Sequence, residues 1–275
     1  LHSGWGSRVS THLVGPDAKP LPNRVRITFY SFLEDTFYAG DFSLPHERIA
    51  QLFADGFPSD AEPSGRETYS AIVAGVAPGG AVAVWLSGSE RQVEVFFGEA
   101  RPVALDWHAA MEVPATLDRR RFVATTLTEA AEDDSLVRPM MARLPLGHWA
   151  RARTPYRWRA VFEGMPAPAR LDRVRFVNGE RDALSLVPAV AAPAPRPVPG
   201  FVAFADRRAG RAYRLTFDEH EALDAFARLG GAGEPLELVF DATARDGRPA
   251  LAVSVRSVTD TVALRRVRLE TARAG

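Results

Sequence analysis

The run Tyr69-Ser70-Ala71-Ile72-Val73-Ala74-Gly75-Val76-Ala77-Pro78-Gly79-Gly80-Ala81-Val82-Ala83-Val84-Trp85-Leu86 decides the fold class. Two nearly continuous apolar stretches flank a Pro-Gly-Gly break. Proline pre-sets the backbone at the first central turn position and glycine accepts positive φ at the next, so the run reads as a hairpin of two well-buried strands. The next segment, Gln92 to Phe97, sets Val93, Val95 and Phe97 against Gln92, Glu94 and Phe96, a third strand with one face toward water. Upstream, Val25, Ile27 and Phe29 alternate with Arg26, Thr28 and Tyr30, which adds another half-buried strand. Pro45 opens a short helix whose stripe is Ile49, Leu52 and Phe53. An antiparallel, β-rich α+β fold with few short helices follows from this pattern.

Downstream, Thr126-Leu127-Thr128-Glu129 has the spacing of a helix capping box, which starts a helix there and sets an acidic run in its first turns. Pro139 and Pro145 end or interrupt that helix. Tyr156–Glu163 and Arg173–Val177 read as strands, and Asn178-Gly179 is the strongest short hairpin signal in the chain. Between Val187 and Gly200 stand five prolines, which reads as an extended connector and a domain boundary. Beyond it, Phe201–Phe204 and Tyr213–Phe217 pair through Ala209-Gly210. Asp218 then caps a helix with Leu223, Phe226 and Ala227 inward, and three strands follow, with Asp246-Gly247 turning between the first two. The expected organisation is a β-rich domain over 1–186, a linker over 187–200 and an independent ββαβββ domain over 201–275.

With 275 residues, 46% hydrophobic and 25% charged, the chain can bury a core of one large domain or two smaller ones. Basic and acidic residues cancel at 34 each, so there is no whole-chain basic footprint for nucleic acid. No apolar stretch approaches the roughly 18 to 20 residues of a membrane-spanning helix. Cysteine is absent, which excludes thiolate chemistry and cysteine-held metal within this sequence.

The chemical candidates are thin. Gly88-Ser89-Glu90 is not a nucleophile elbow, and Gly75 to Gly80 lacks the Lys-Ser/Thr of a phosphate loop. His220 and Asp224 share a helix face, but two ligands fall short of the three or four that zinc takes, so a solvated face is the better reading. Asp106 and His108 are too close in sequence to face each other. Arg119-Arg120-Arg121 reads as a surface run balanced by the acidic one. No catalytic group, metal or cofactor is expected. Two acidic patches are candidate partner contacts: Glu129, Glu132, Asp133 and Asp134, and, after the linker, Asp218, Glu219 and Glu221. For each the ordinary reading is that the carboxylates complement a helix dipole.

Three segments carry a family resemblance. Tyr30-Ser31-Phe32-Leu33-Glu34 with Phe37-Tyr38 and Leu44-Pro45, the hairpin Val76 to Gly88, and Tyr156–Glu163 with Phe176 to Glu180 resemble an uncharacterised family of bacterial lipoproteins, a domain of unknown function. The likeness covers about residues 5–186. Many members of such families are encoded beside type VI secretion lipase effectors. The resemblance therefore implies a periplasmic, lipid-anchored immunity protein, its anchoring cysteine upstream of Leu1, that occludes a phospholipase stoichiometrically. The rival classes are a cell-envelope scaffold or carbohydrate-binding module and a hydrolase whose site is dispersed along the chain.

Overall fold

The computed structural model describes residues 5–7, 20–59, 63–133, 137–142, 144, 146–165, 170–185, 192–206, 209–231, 233–243 and 251–273. They form two compact units. The first comprises Leu1–Ser89 and Val93–Trp149, the second Glu90–Gln92 and Ala150–Gly275. Strands dominate, and almost all pair antiparallel.

In the first unit, β1 (Arg24–Ser31) and β2 (Thr36–Ser43) form a hairpin, in register from Arg24 opposite Ser43 to Ser31 opposite Thr36. Helix α1 (His46–Asp55) follows, and β3 (Phe57–Pro58) pairs with β4 (Arg66–Glu67). The deciding run folds as β5 (Ala71–Ala77) and β6 (Ala81–Ser87), paired without a register shift. Then come β7 (Gln92–Glu99) and β8 (Arg101–Val103), the latter completing the β1-β2 sheet at β2. Among the described residues α2 (Trp107–Ala110), α3 (Arg119–Asp133) and α4 (Val137–Ala142) follow, and the unit's sequence ends within α5 (His148–Arg151). Every residue of β6 is buried. One of its faces packs Val84 and Leu86 with Leu44, Ile49, Phe57 and Val95, which explains the apolar stripe of α1. On the other face Trp5 meets Trp85 edge-on at 5.1 Å and Trp149 at 4.9 Å. The expected equal burial of the hairpin's two strands is corrected: β5 is the outer strand and leaves Ile72, Ala74 and Val76 exposed. The water-facing side expected for the third strand is corrected too, because Phe96 and Phe97 each pack against a core cluster.

The second unit is built from two sheets and a helix. One sheet runs β11 (Arg181–Ser185), β10 (Arg170–Phe176), β13 (Pro199–Asp206), β14 (Arg211–Phe217), β18 (Val267–Arg273). The other runs β12 (Ala194–Arg196), β9 (Tyr156–Glu163), β15 (Leu236–Asp241), β16 (Ala252–Arg256), β17 (Thr261–Leu264). Helix α6 (Glu219–Leu229) joins the same core, its Leu223 and Phe226 buried with Trp158, Val174, Phe204 and Phe240. Ala227, expected inward, is exposed, and Ala222, Ala225 and Leu229 take the inner positions. Within this second sheet, Glu237 of β15 lies between its cross-strand neighbours Arg159 and Arg256, its carboxylate 2.5 Å and 2.8 Å from their guanidinium groups. Burial opposes its ionisation, but these two partners outweigh it and hold its pKa below the usual carboxylate range.

Three expectations about organisation are corrected here. The five-proline stretch is not wholly an extended connector: Ala194–Arg196 is a strand paired with β9, and Pro199 opens β13. Proline is compatible with both positions, an edge strand and a strand start. Residues 201–275 share one compact unit with residues 150–200, in which β13 pairs with β10 and β15 pairs in parallel with β9. The capping-box helix start is also displaced, since α3 begins at Arg119. Within 187–200 residues 187–191, and with them Asp246-Gly247, Pro145 and Asp134, lie outside the described residues.

Candidate partner-binding surface

The three-strand sheet prepares this surface at its turn. The loop after β1 carries Glu34, whose carboxylate accepts hydrogen bonds from Ser31 Oγ at 2.7 Å, Tyr38 Oη at 2.9 Å and the Gly79 amide at 3.0 Å. Glu34 thus joins the β1-β2 hairpin to the Pro78-Gly79-Gly80 turn. Burial first, and then the bond to Glu34, push the Tyr38 phenol up to about 12. The next residue, Asp35, has φ of 49° and receives Tyr30 Oη and Arg119 Nε, the latter at 2.8 Å. The Arg119 guanidinium also lies 5.8 Å from the centroid of the Tyr30 ring. The Tyr30-to-Glu34 segment is therefore structural: it anchors the start of α3.

That start is capped by Asp118, whose carboxylate accepts the Arg121 amide at 2.7 Å. Beneath it, Trp107 of α2 is buried, 5.7 Å from Phe122 and 6.4 Å from Tyr30. Asp106 and His108, on either side of Trp107, serve separate ends of this turn: Asp106 caps α2 through the Ala109 amide at 2.8 Å, and His108 Nε2 is 2.9 Å from the Leu117 carbonyl.

Helix α3 holds no fully buried residue among its described side chains. Phe122, Val123, Thr126, Leu127, Ala130 and Ala131 make a half-buried stripe. Arg120, Arg121, Thr125, Thr128, Glu129 and Glu132 point to solvent. An open depression of about 420 Å³ lies at its start, lined by Leu117, Asp118, Arg121, Phe122 and Thr125 among others. A second, of about 490 Å³, lies at its end between Glu132 and the α4 residues Arg138, Pro139 and Ala142.

The charges of α3 run against its backbone. Helical peptide dipoles leave the amino end partially positive and the carboxyl end partially negative. Here Arg119-Arg120-Arg121 occupy the first turn and Glu132-Asp133 the last. The acidic run was expected in the first turns of its helix, where it would complement the dipole. The structure sets it at the opposite end, where it costs stability. Among the described residues Glu129 and Glu132 take no hydrogen bond and no ion pair. Asp133 closes the helix, and Asp134 is not among the described residues.

The second acidic patch has internal work instead. Asp218 caps α6 through the Glu221 amide at 2.8 Å and lies 3.2 Å from the Arg266 guanidinium. Glu221 accepts the backbone amides of Arg265 and Arg266 at 3.0 Å and 2.8 Å, which ties the helix to the strand that follows. Glu219 is exposed in the first turn, where a carboxylate does complement the dipole. Asp224, paired with His220 in the sequence reading, bonds Arg151 at 2.6 Å. Among the described residues no group of three or more His, Asp or Glu is placed to hold a metal ion. No helix among them is long and apolar enough to cross a membrane.

The sequence reading missed Asp118 as the cap, and so left Arg119-Arg120-Arg121 as a surface run ahead of the helix instead of its first turn. The signal was present, because Asp118 immediately precedes a run with apolar residues at helical spacing.

Residues 1–133, a stretch that ends with α3, match the family model described as "Protein of unknown function (DUF2931)". The match stops short of Tyr156–Glu163 and Phe176 to Glu180, so the third segment of the expected resemblance lies outside it. No curated protein and no solved structure matches the chain.

Proposed function

We propose that this chain, a DUF2931 family domain continued by a second β-rich unit, is an immunity-type inhibitor. It binds an effector enzyme of the phospholipase class at one-to-one stoichiometry and closes its catalytic mouth. The observation that carries this reading is α3. A helix whose exposed charges oppose its own dipole gives up stability in the free protein, roughly 0.3 to 1 kcal/mol for each misplaced charge. A partner with the complementary pattern recovers that cost on binding, and opposed charges also speed encounter. The depressions at the two ends of α3 supply recesses for apolar anchors, which typically hold most of the energy of such interfaces. In this reading Glu129 and Glu132 face a basic strip on the effector and Arg120 and Arg121 an acidic one. The same reading assigns the protein to the periplasm, held there by a lipid anchor, as part of a type VI effector–immunity pair.

The decisive experiment is co-expression of the tagged chain with the products of its neighbouring genes. The expected result is a lipase retained at one-to-one ratio and inactive while bound. Retention of no neighbouring product, or retention of a lipase with full activity, overturns the proposal.

A further inference from the structure

The edge strand β5 raises a separate question. Among the described residues no strand lies beyond it, so one row of its backbone amides and carbonyls has no strand partner. Proteins usually protect such an edge with a charge, a proline, a bulge or a short strand. Ala71-Ile72-Val73-Ala74-Gly75-Val76-Ala77 has none of these protections: it is uncharged, free of proline, seven residues long and in unbroken register with β6. Its outer side chains are apolar and open to solvent, Ile72 at 44% and Val76 at 40% exposure.

The strand is apolar throughout on both sides of its centre. About Ala74, Ala71 corresponds to Ala77 and Ile72 to Val76, both like pairs, while Val73 corresponds to the smaller Gly75. We propose that β5 pairs antiparallel with β5 of a second copy of this chain, about a twofold axis through Ala74, to give a reversible homodimer. In that register Ile72 of each copy lies opposite Val76 of the other on the exposed face, and the two Ala74 residues lie opposite each other. Every cross-strand pair is apolar with apolar, with no like-charge opposition, as a self-complementary isologous contact requires. Gly75 leaves room on the other face, where the Trp85 ring already fills the space that a Cβ would need at 2.8 Å. One strand pair covers well under the ~800 Å² per partner of a stable interface, so the dimer dissociates in the micromolar range or above.

The test uses the purified chain alone and so is separable from effector binding. Sedimentation velocity from about 1 to 500 µM should show a monomer passing to a dimer. Ala74→Lys and Ala74→Glu each place like charges across the axis and should remain monomeric throughout, with unchanged circular dichroism because the position is exposed. An equimolar mixture of the two should dimerise again, Lys opposite Glu. As a second reading, amide exchange in β5 should slow as wild-type concentration rises. A wild-type chain that stays monomeric over the range overturns the proposal. So do charged variants that dimerise like wild type, and a mixture that does not recover.

Discussion

Gly80 is the residue on which the central hairpin most depends. Its φ is 78°, and a Cβ there would stand 2.3 Å from the Ala100 carbonyl oxygen, a backbone atom with nowhere to go. At Gly79 φ is also 78°, yet an added Cβ meets only a Leu146 methyl at 3.0 Å. Gly79→Ala should therefore cost about 1 kcal/mol in urea unfolding, the usual penalty for positive φ. Gly80→Ala should cost at least ~3 kcal/mol or abolish folding. Tyr38 supplies a pH signature at the same scale. Its phenol is raised to about 12 in the folded chain, so the folded state holds that proton more tightly than the unfolded one. Stability from this group is complete below about pH 10 and is lost as pH rises toward 12. Tyr38→Phe should cost about 1 kcal/mol near neutral pH through the lost bond to Glu34 and should flatten the alkaline fall in unfolding free energy. An unchanged alkaline slope in the variant would assign that fall to another group.

Among the elements, α3 is the one whose sequence and position disagree, and reversing the disagreement tests its purpose. Glu129→Lys with Glu132→Lys aligns the carboxyl end with the dipole and should raise the unfolding free energy by up to ~1 kcal/mol per charge. If the proposed interface is right, the same pair of changes weakens effector binding more than tenfold at low salt, mainly through slower association. A variant that is more stable and binds as well as wild type would remove α3 from the interface. Asp118→Ala acts in the other direction. Loss of its cap should cost about 1 kcal/mol. In the second unit Glu237 belongs to the same scale. Its pKa is lowered, so what it contributes is present above the ordinary carboxylate range and fades as pH falls through it, a loss that Glu237→Gln should remove from the acid limb of a stability–pH curve.

For the whole molecule, the boundary between the two units makes a direct prediction. A fragment of residues 201–275 retains β13 and β15 but loses β10 and β9, the strands beside them. It also loses Trp158, Leu171 and Val174 from the shared core. That fragment should show no cooperative thermal transition, whereas residues 150–275 should show one. Cooperative melting of the shorter piece would restore a division at the proline-rich stretch. Protease should not cut within β12 or β13, since paired strands resist opening.

What the sequence by itself determined is a set of turns, caps and alternations whose cause lies within a few residues. The Pro78-Gly79-Gly80 and Asn178-Gly179 turns, the Asp218 cap and the alternation in β1 follow from local backbone preference and side-chain spacing, and all stand where they were read. The tertiary structure alone decided which of two equally apolar strands lies at the edge, because burial depends on what packs across the strand and not on its own composition. It decided that Ala194–Arg196 is a strand, since proline forbids only the inner positions of a sheet and β9 offers an outer one. It decided the parallel pairing of β9 with β15, whose Arg159 and Glu237 stand 78 residues apart, beyond the reach of any local signal. The candidate surface was half legible for the same reason. The acidic residues are visible in the sequence, but their place at the last turn of α3 depends on where the helix begins. That start is held by Asp118 and by an Asp35–Arg119 contact across the fold.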